Sequence, residues 1–167
     1  MLQEAATGLG RFRDRAMLLN PTDASARLLE KLQSAQAATP ELMRELVAEA
    51  CPRLALLPRG GMPERISRLI EQAAWTEIGL ALVTVELPGW ELRRLAYDDG
   101  EWHCALSGQP NLPAEIDDIA AAHHPALPLA IVCALLEAQS RSTTHKVTAV
   151  PQIRPVPTHA LCCDNFA

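Results

Sequence analysis

Apolar residues recur at helical spacing through the first half of the chain, then alternate after residue 90. In "NPTDASARLLEKLQSAQ", Ala24, Leu28, Leu32 and Ala35 fall on one helical face. Asn20 is the expected cap, Pro21 the first helical residue, and Asp23 sits near the positive end of the helix dipole. "TPELMRELVAEACP" repeats the grammar: Thr39 caps, Pro40 starts, Leu42 and Leu46 share a face, and Pro52 ends the run. Two short helices with a tight link predict an antiparallel pair. "CPRLALLPRGGMP" breaks this pattern with prolines and glycines and reads as a linker over 52–63, in which Leu54, Leu56 and Leu57 are expected to be exposed. It would divide a helical N-terminal region, 1–51, from a core at 64–141.

Within that core, "ERISRLIEQAA" carries a stripe of Ile66, Leu69, Ile70 and Ala73 after Pro63. Thr76 is the expected cap of a further helix, "EIGLALVTVEL", ending at Pro88-Gly89. Its Val-Thr-Val content also suits a strand, but Leu80, Val83 and Leu87 keep a helical period. "WELRRLAYDDGEWHCALS" then gives the clearest β signal, a hairpin over 90–107 turning at Asp99-Gly100. With a two-residue turn Tyr97 stands opposite Trp102, and Leu95 opposite Cys104. "GQPNLPAEIDD" reads as a polar loop. "HHPALPLAIVCALLEAQSR" reads as a helix over 125–141, apolar on most of its circumference and therefore buried. Residues 142–167, with little periodicity, read as an extended or disordered tail.

The fold class that follows is α+β, with the last helix covering the Trp102, Cys104 and Leu106 side of the hairpin. A lone two-stranded hairpin is marginal without a packed partner. Pairing of hairpins across a homodimer into a four-stranded sheet is a second expectation.

Composition and charge narrow the functional classes. A net charge of −5 argues against a dedicated nucleic-acid binder, which needs a basic surface. The basic clusters, Arg11, Arg13 and Arg15 in "GRFRDR" and the Arg93-Arg94 pair, read as solvated faces or salt-bridge partners. The apolar runs "IGLALVTV" and "ALPLAIVCALL" fall short of the roughly 20 residues that span a bilayer. "MLQEAATGLGRFRDR" lacks the pattern of a secretory signal. Five cysteines, an odd number with no C-x-x-C pair, fit a reducing cytoplasm better than a disulfide framework.

Candidate chemistry centres on histidine and cysteine. Neighbouring strand residues point to opposite faces, so Cys104 lies with Trp102 and Leu106 while His103 lies with Glu101 and Ser107. A Cys-His dyad is thereby separated, and an apolar setting raises a thiol's pKa, so Cys104 reads as a core residue. His123 and His124, with Asp117 or Asp118 and with His103 brought near by helix packing, are candidate metal ligands. A polar loop with helix-capping residues is the favoured alternative, since neither H-E-x-x-H nor paired cysteine spacing is present. Cys162-Cys163 suits a soft metal or thiol exchange, against which stands an incidental pair on a tail. "PRGGMPE" lacks the ending of a P-loop, and no G-x-S-x-G occurs. No catalytic or cofactor-binding residue is assigned, and no cofactor is expected.

The motifs "ELPGW", "DGEWHC-LS-QPNLP" and "LPLAI--ALLEA" resemble a family of small uncharacterised bacterial proteins over residues 64–141. That resemblance implies a bacterial, cytoplasmic origin and no chemistry. The leading functional expectation is a non-enzymatic protein-interaction or regulatory module, self-associating or binding a protein partner, with no membrane contact. A metal-binding protein or enzyme using the His/Asp loop is the alternative. A nucleic-acid-associated protein working through the arginines comes third.

Overall fold

Prolines open most of the helices, as their fixed φ and missing N–H suit the first turn. In the computed structural model, which describes residues 21–147, with side chains over 24–142, α1 spans Pro21–Ser34 and α2 spans Pro40–Ala50. The Asn20 cap, Arg11, Arg13, Arg15, the Cys162-Cys163 pair and the tail beyond Val147 lie outside the described residues. Thr39 caps α2 as expected, its hydroxyl oxygen accepting the Leu42 N–H at 3.3 Å. Leu28 and Leu32 of α1 and Leu42, Met43 and Leu46 of α2 are buried, and a Lys31–Glu45 ion pair links the two helices.

The stretch expected as a linker is partly helical. α3 spans Pro52–Leu56 and buries Leu54, while Leu56 is 85% exposed and Leu57 40%. Five residues is too short a helix to hold by itself, and its anchor comes from far along the chain. The Glu86 side chain, only 5% exposed, accepts the Leu54 N–H at 2.7 Å and the Arg53 N–H at 3.2 Å. These are two of the N–H groups that any helix start leaves without an intrahelical partner.

α4, Met62–Glu71, buries Ile66, Leu69 and Ile70. Ala73 does not continue that stripe. It sits at φ 54, in the left-handed region, with Ala73 N–H donating to Ile70 C=O and Ala74 N–H to Leu69 C=O. That is the Schellman ending, where glycine is the usual occupant. Ala73 is exposed and sits in the left-handed region, so Ala73→Gly is expected to raise unfolding stability by about 0.5–1 kcal/mol, read by urea titration.

α5 spans Trp75–Glu86 and is helical, as its period predicts. Thr76 is not its cap: the helix starts two residues earlier than expected, at Trp75 after Ala74, with no side-chain cap bond. Its inner face is Ile78, Gly79, Leu82, Val83 and Glu86, while Leu80 is exposed. A Pro88-Gly89 turn, with Gly89 at φ 91 and Trp90 N–H donating to Leu87 C=O, reverses the chain into the sheet.

The hairpin is β1, Glu91–Asp98, and β2, Glu101–Ser107, in antiparallel register. Asp99 at φ 48 and Gly100 at φ 88 make the two-residue turn, and Tyr97 faces Trp102 and Leu95 faces Cys104 as expected. A bulge between Leu92 and Arg94 inserts one residue. It resets the alternation, so Leu92 and Leu95 lie on the same face although three positions apart.

The sheet has a third strand where the sequence reads as loop and cap. β3, Ile119–His124, pairs antiparallel with β2, giving the order β1-β2-β3. α6 then runs Leu127–Val147, past Arg141, so the first residues expected in a tail are helical. Leu129 through Leu136 are at most 5% exposed. α6 packs on β3 and β2 with one side and on α5 and α1 with the other, a central helix between the sheet and the helical layer. The α+β class is as expected, and the covered sheet face carries Trp102, Cys104 and Leu106, joined by Ala120 and Ala122.

Candidate functional site

β3 decides where every candidate ligand goes. Its register sets His103 opposite His123 on the open face of the sheet, with ring centroids 5.8 Å apart. His123 Nδ1 lies 2.7 Å from Glu101 Oε2, an ion pair when the imidazole is protonated. His103 thus meets His123 through strand pairing, whereas the helix packs against the opposite face. Glu101 was not among the sequence candidates, although the cross-strand neighbourhood would follow once β3 is known.

His124, next along the strand, must point the other way. It is buried, and its Nδ1 accepts the Ala126 N–H at 2.9 Å, so the side chain fastens the start of α6 to the end of β3. An Nδ1 that accepts an N–H carries no proton there, which places the proton of the neutral ring on Nε2. His124 is therefore a capping residue, as the alternative to a metal loop proposed, but seated on a strand. It also lines a cleft of about 440 Å³ between α1, β3 and α6, together with Leu29, Gln33, Cys133 and Glu137.

Asp117 and Asp118 stand at the far end of the same ladder, where Ser107 pairs with Ile119. Asp117 is the hub of that end. Oδ2 accepts the Ser107 hydroxyl at 2.6 Å and Arg93 Nη1 at 2.5 Å, and Oδ1 accepts the Gln109 N–H at 2.9 Å. The bulge is what carries Arg93 there, so half of the Arg93-Arg94 pair is neutralised within the protein. Asp118 lies 4.0 Å from Arg141 of α6. Histidines and aspartates are thus brought into separate groups. Among the described residues, no set of three or more His, Cys, Asp or Glu side chains is placed to hold a metal ion.

Burial works to raise the Asp117 pKa, but the Ser107, Gln109 and Arg93 contacts outweigh it and hold the carboxyl below the ordinary 3.8. A carboxyl lowered on folding contributes stability that is present above its unfolded value and lost as pH falls through the folded one. Thermal midpoints of the native protein are therefore expected to fall as pH drops below about 4. In Asp117→Asn that part of the acid loss should be missing; identical acid profiles would refute the role.

Cys51, Cys104 and Cys133 are free and buried. Burial pushes the Cys104 and Cys133 thiols up to about 11, and burial with the nearby Glu86 carboxylate pushes Cys51 up to about 12. Since the thiolate is the nucleophile, iodoacetamide at neutral pH should leave all three unlabelled by peptide mass spectrometry until denaturant is added. Labelling of Cys104 in native protein would reopen a reactive role.

One further surface was not foreseen. The α6-side face of the sheet continues onto β1, yet α6 packs on β3 and β2. Leu92, Leu95 and Tyr97 are left 42%, 36% and 61% exposed, with Tyr97 stacked at a tilt on Trp102, ring centroids 5.2 Å apart. The alternation of "LRRLAY" carries the signal, but its reading as an uncovered strip requires knowing how far α6 reaches.

No described helix is long and apolar enough to cross a membrane. Compared with known protein families, curated proteins and solved structures, the chain has no match in any of the three. The likeness of residues 64–141 to small bacterial proteins is neither extended nor contradicted by that result.

Proposed function

We propose that this protein is a small, cytoplasmic, non-enzymatic interaction module that makes its contact through the outer edge of strand β1. The observation that carries this reading is the apolar strip of Leu92, Leu95 and Tyr97, which continues a buried sheet face beyond the helix that covers it. An exposed edge strand offers backbone donors and acceptors to an added strand. Here one face of the edge is apolar, with Leu92, Leu95 and Tyr97, while the charged residues Arg94 and Asp98 stand on the other. The scattered placement of histidine, aspartate and cysteine supports a binding role over a catalytic one.

A photo-reactive phenylalanine analogue in place of Tyr97 tests this in producing cells, with the same analogue at exposed Glu30 as control. Cross-linking to a polypeptide from position 97, lost in Leu95→Lys and absent from position 30, is the expected result. Absence of a product from position 97 would overturn the reading.

A further inference from the structure

The identity of the partner follows from the backbone of β1. The two-residue turn makes Asp98 and Glu101 the hydrogen-bonded pair that closes the hairpin. Antiparallel ladders alternate bonded and non-bonded pairs. Ala96, like Asp98, therefore directs its N–H and C=O toward β2, and Leu95 and Tyr97 direct theirs outward. Among the described residues nothing pairs with that side, since β1 is the end strand of the sheet.

We propose that β1 pairs antiparallel with β1 of a second copy of this chain, about a twofold axis through Ala96, joining two three-stranded sheets into one of six. This rests on β1 being the contact surface. An axis normal to the sheet sets same-face residues opposite one another, and the choice of centre decides which meet. Centred on Ala96, Leu95 faces the partner's Tyr97 and Tyr97 faces the partner's Leu95. Their outward N–H and C=O groups form the bonded pairs of the new ladder.

On the open face, Arg94 then faces the partner's Asp98 and Asp98 faces the partner's Arg94. Both are exposed, and opposite charges directly across a ladder are favourable. Only the small Ala96 meets itself, on the axis. A centre on Leu95 sets Arg94 against Ala96 and draws the Arg93 bulge into the ladder. A centre on Tyr97 sets Leu95 against Asp99 of the turn. Neither alternative pairs a charge, so the self-complementary register is the one on Ala96. On the covered face it also extends the apolar strip across the axis, so that each copy shields the part of the other that α6 does not reach.

Sedimentation equilibrium of the full chain over a concentration series tests this, with circular dichroism to verify folding of variants at these exposed positions. The native protein should be a dimer. Arg94→Asp or Asp98→Arg alone sets two like-charge pairs across the axis and should raise the dimer dissociation constant about 100-fold. Arg94→Asp with Asp98→Arg restores both pairs and should return the constant to within about tenfold of the native value. A native monomer, a dimer indifferent to the single swaps, or a double swap no better than the singles would each overturn the proposal. A native monomer that still cross-links from position 97 to a different polypeptide overturns self-pairing alone. A monomer that yields no cross-link overturns the edge reading as well.

Discussion

Gly79→Val is expected to lower unfolding stability by about 3 kcal/mol, a fall in thermal midpoint on the order of 10 °C for a chain of this size. Gly79 lies in the middle of α5, where glycine costs roughly 1 kcal/mol relative to alanine. Its place there is explained by α6. A Cβ at Gly79 would stand 3.0 Å from Ile131 Cγ2 and 3.4 Å from Ile131 Cβ, with Val132 Cγ2 at 3.7 Å. Ile131 and Val132 are fully buried and have nowhere to retreat. A valine would meet that wall with branched methyls and separate the two helices. Gly79→Ala makes the discriminating comparison. Were the glycine incidental, alanine would stabilise by about 1 kcal/mol through propensity alone. With the close approach as the cause, that gain should be cancelled or reversed. Urea titration of both variants decides: a stabilised alanine variant would refute the packing account.

Glu86→Ala is expected to cost a similar amount, also about 3 kcal/mol, by a different route. Its carboxylate holds the N–H groups of Arg53 and Leu54 at the start of α3, in a buried setting. A buried donor left without an acceptor costs about 1–3 kcal/mol, and alanine strands two. Glu86→Gln keeps one acceptor oxygen but turns an amide N–H₂ toward the other donor, so it should recover only part of the loss. A second readout separates this role from general core damage. The Glu86 carboxylate contributes, after burial, to raising the Cys51 thiol. In Glu86→Ala, Cys51 should be labelled by iodoacetamide sooner than Cys104 and Cys133 at the same denaturant concentration. Equal labelling of all three would show that α3 had not been released locally.

These two residues also mark what a sequence conceals. Pro21, Pro40 and Thr39 announce their helices because caps and first turns depend on neighbours in the chain. Asp99-Gly100 announces its hairpin for the same reason. Gly79 and Glu86 act on residues more than thirty positions away, and nothing local distinguishes them from tolerated helix residues. β3 is hidden in another way. "IAAAHH" is poor in the β-branched and aromatic residues that signal a strand. Ala120 and Ala122 are small where α6 packs on the sheet, so a packing role suppresses the β signal.

The candidate site was legible to the same degree. The outward turn of His103 and the burial of Cys104 follow from alternation within one hairpin. The His103–His123–Glu101 grouping depends on β3, and so does the removal of Asp117 and Asp118 to the other end. The charge pattern of β1 is written plainly in "RRLAYD", but its meaning depends on which side of the strand β2 occupies.

The central position of α6 sets an order on the birth of this protein. Synthesis runs from the N-terminus, and the helix that both layers pack against comes last among the described elements. When β2 has been made, at Ser107, its apolar face has no cover until the chain has reached Ala138. At about 5–20 residues per second that interval lasts about 2–6 seconds. Through it the nascent chain holds helices without their common support and a hairpin with one greasy side. A messenger cut short before α6 would yield a polypeptide with no means of closing, fit for a chaperone or a protease rather than for a partner.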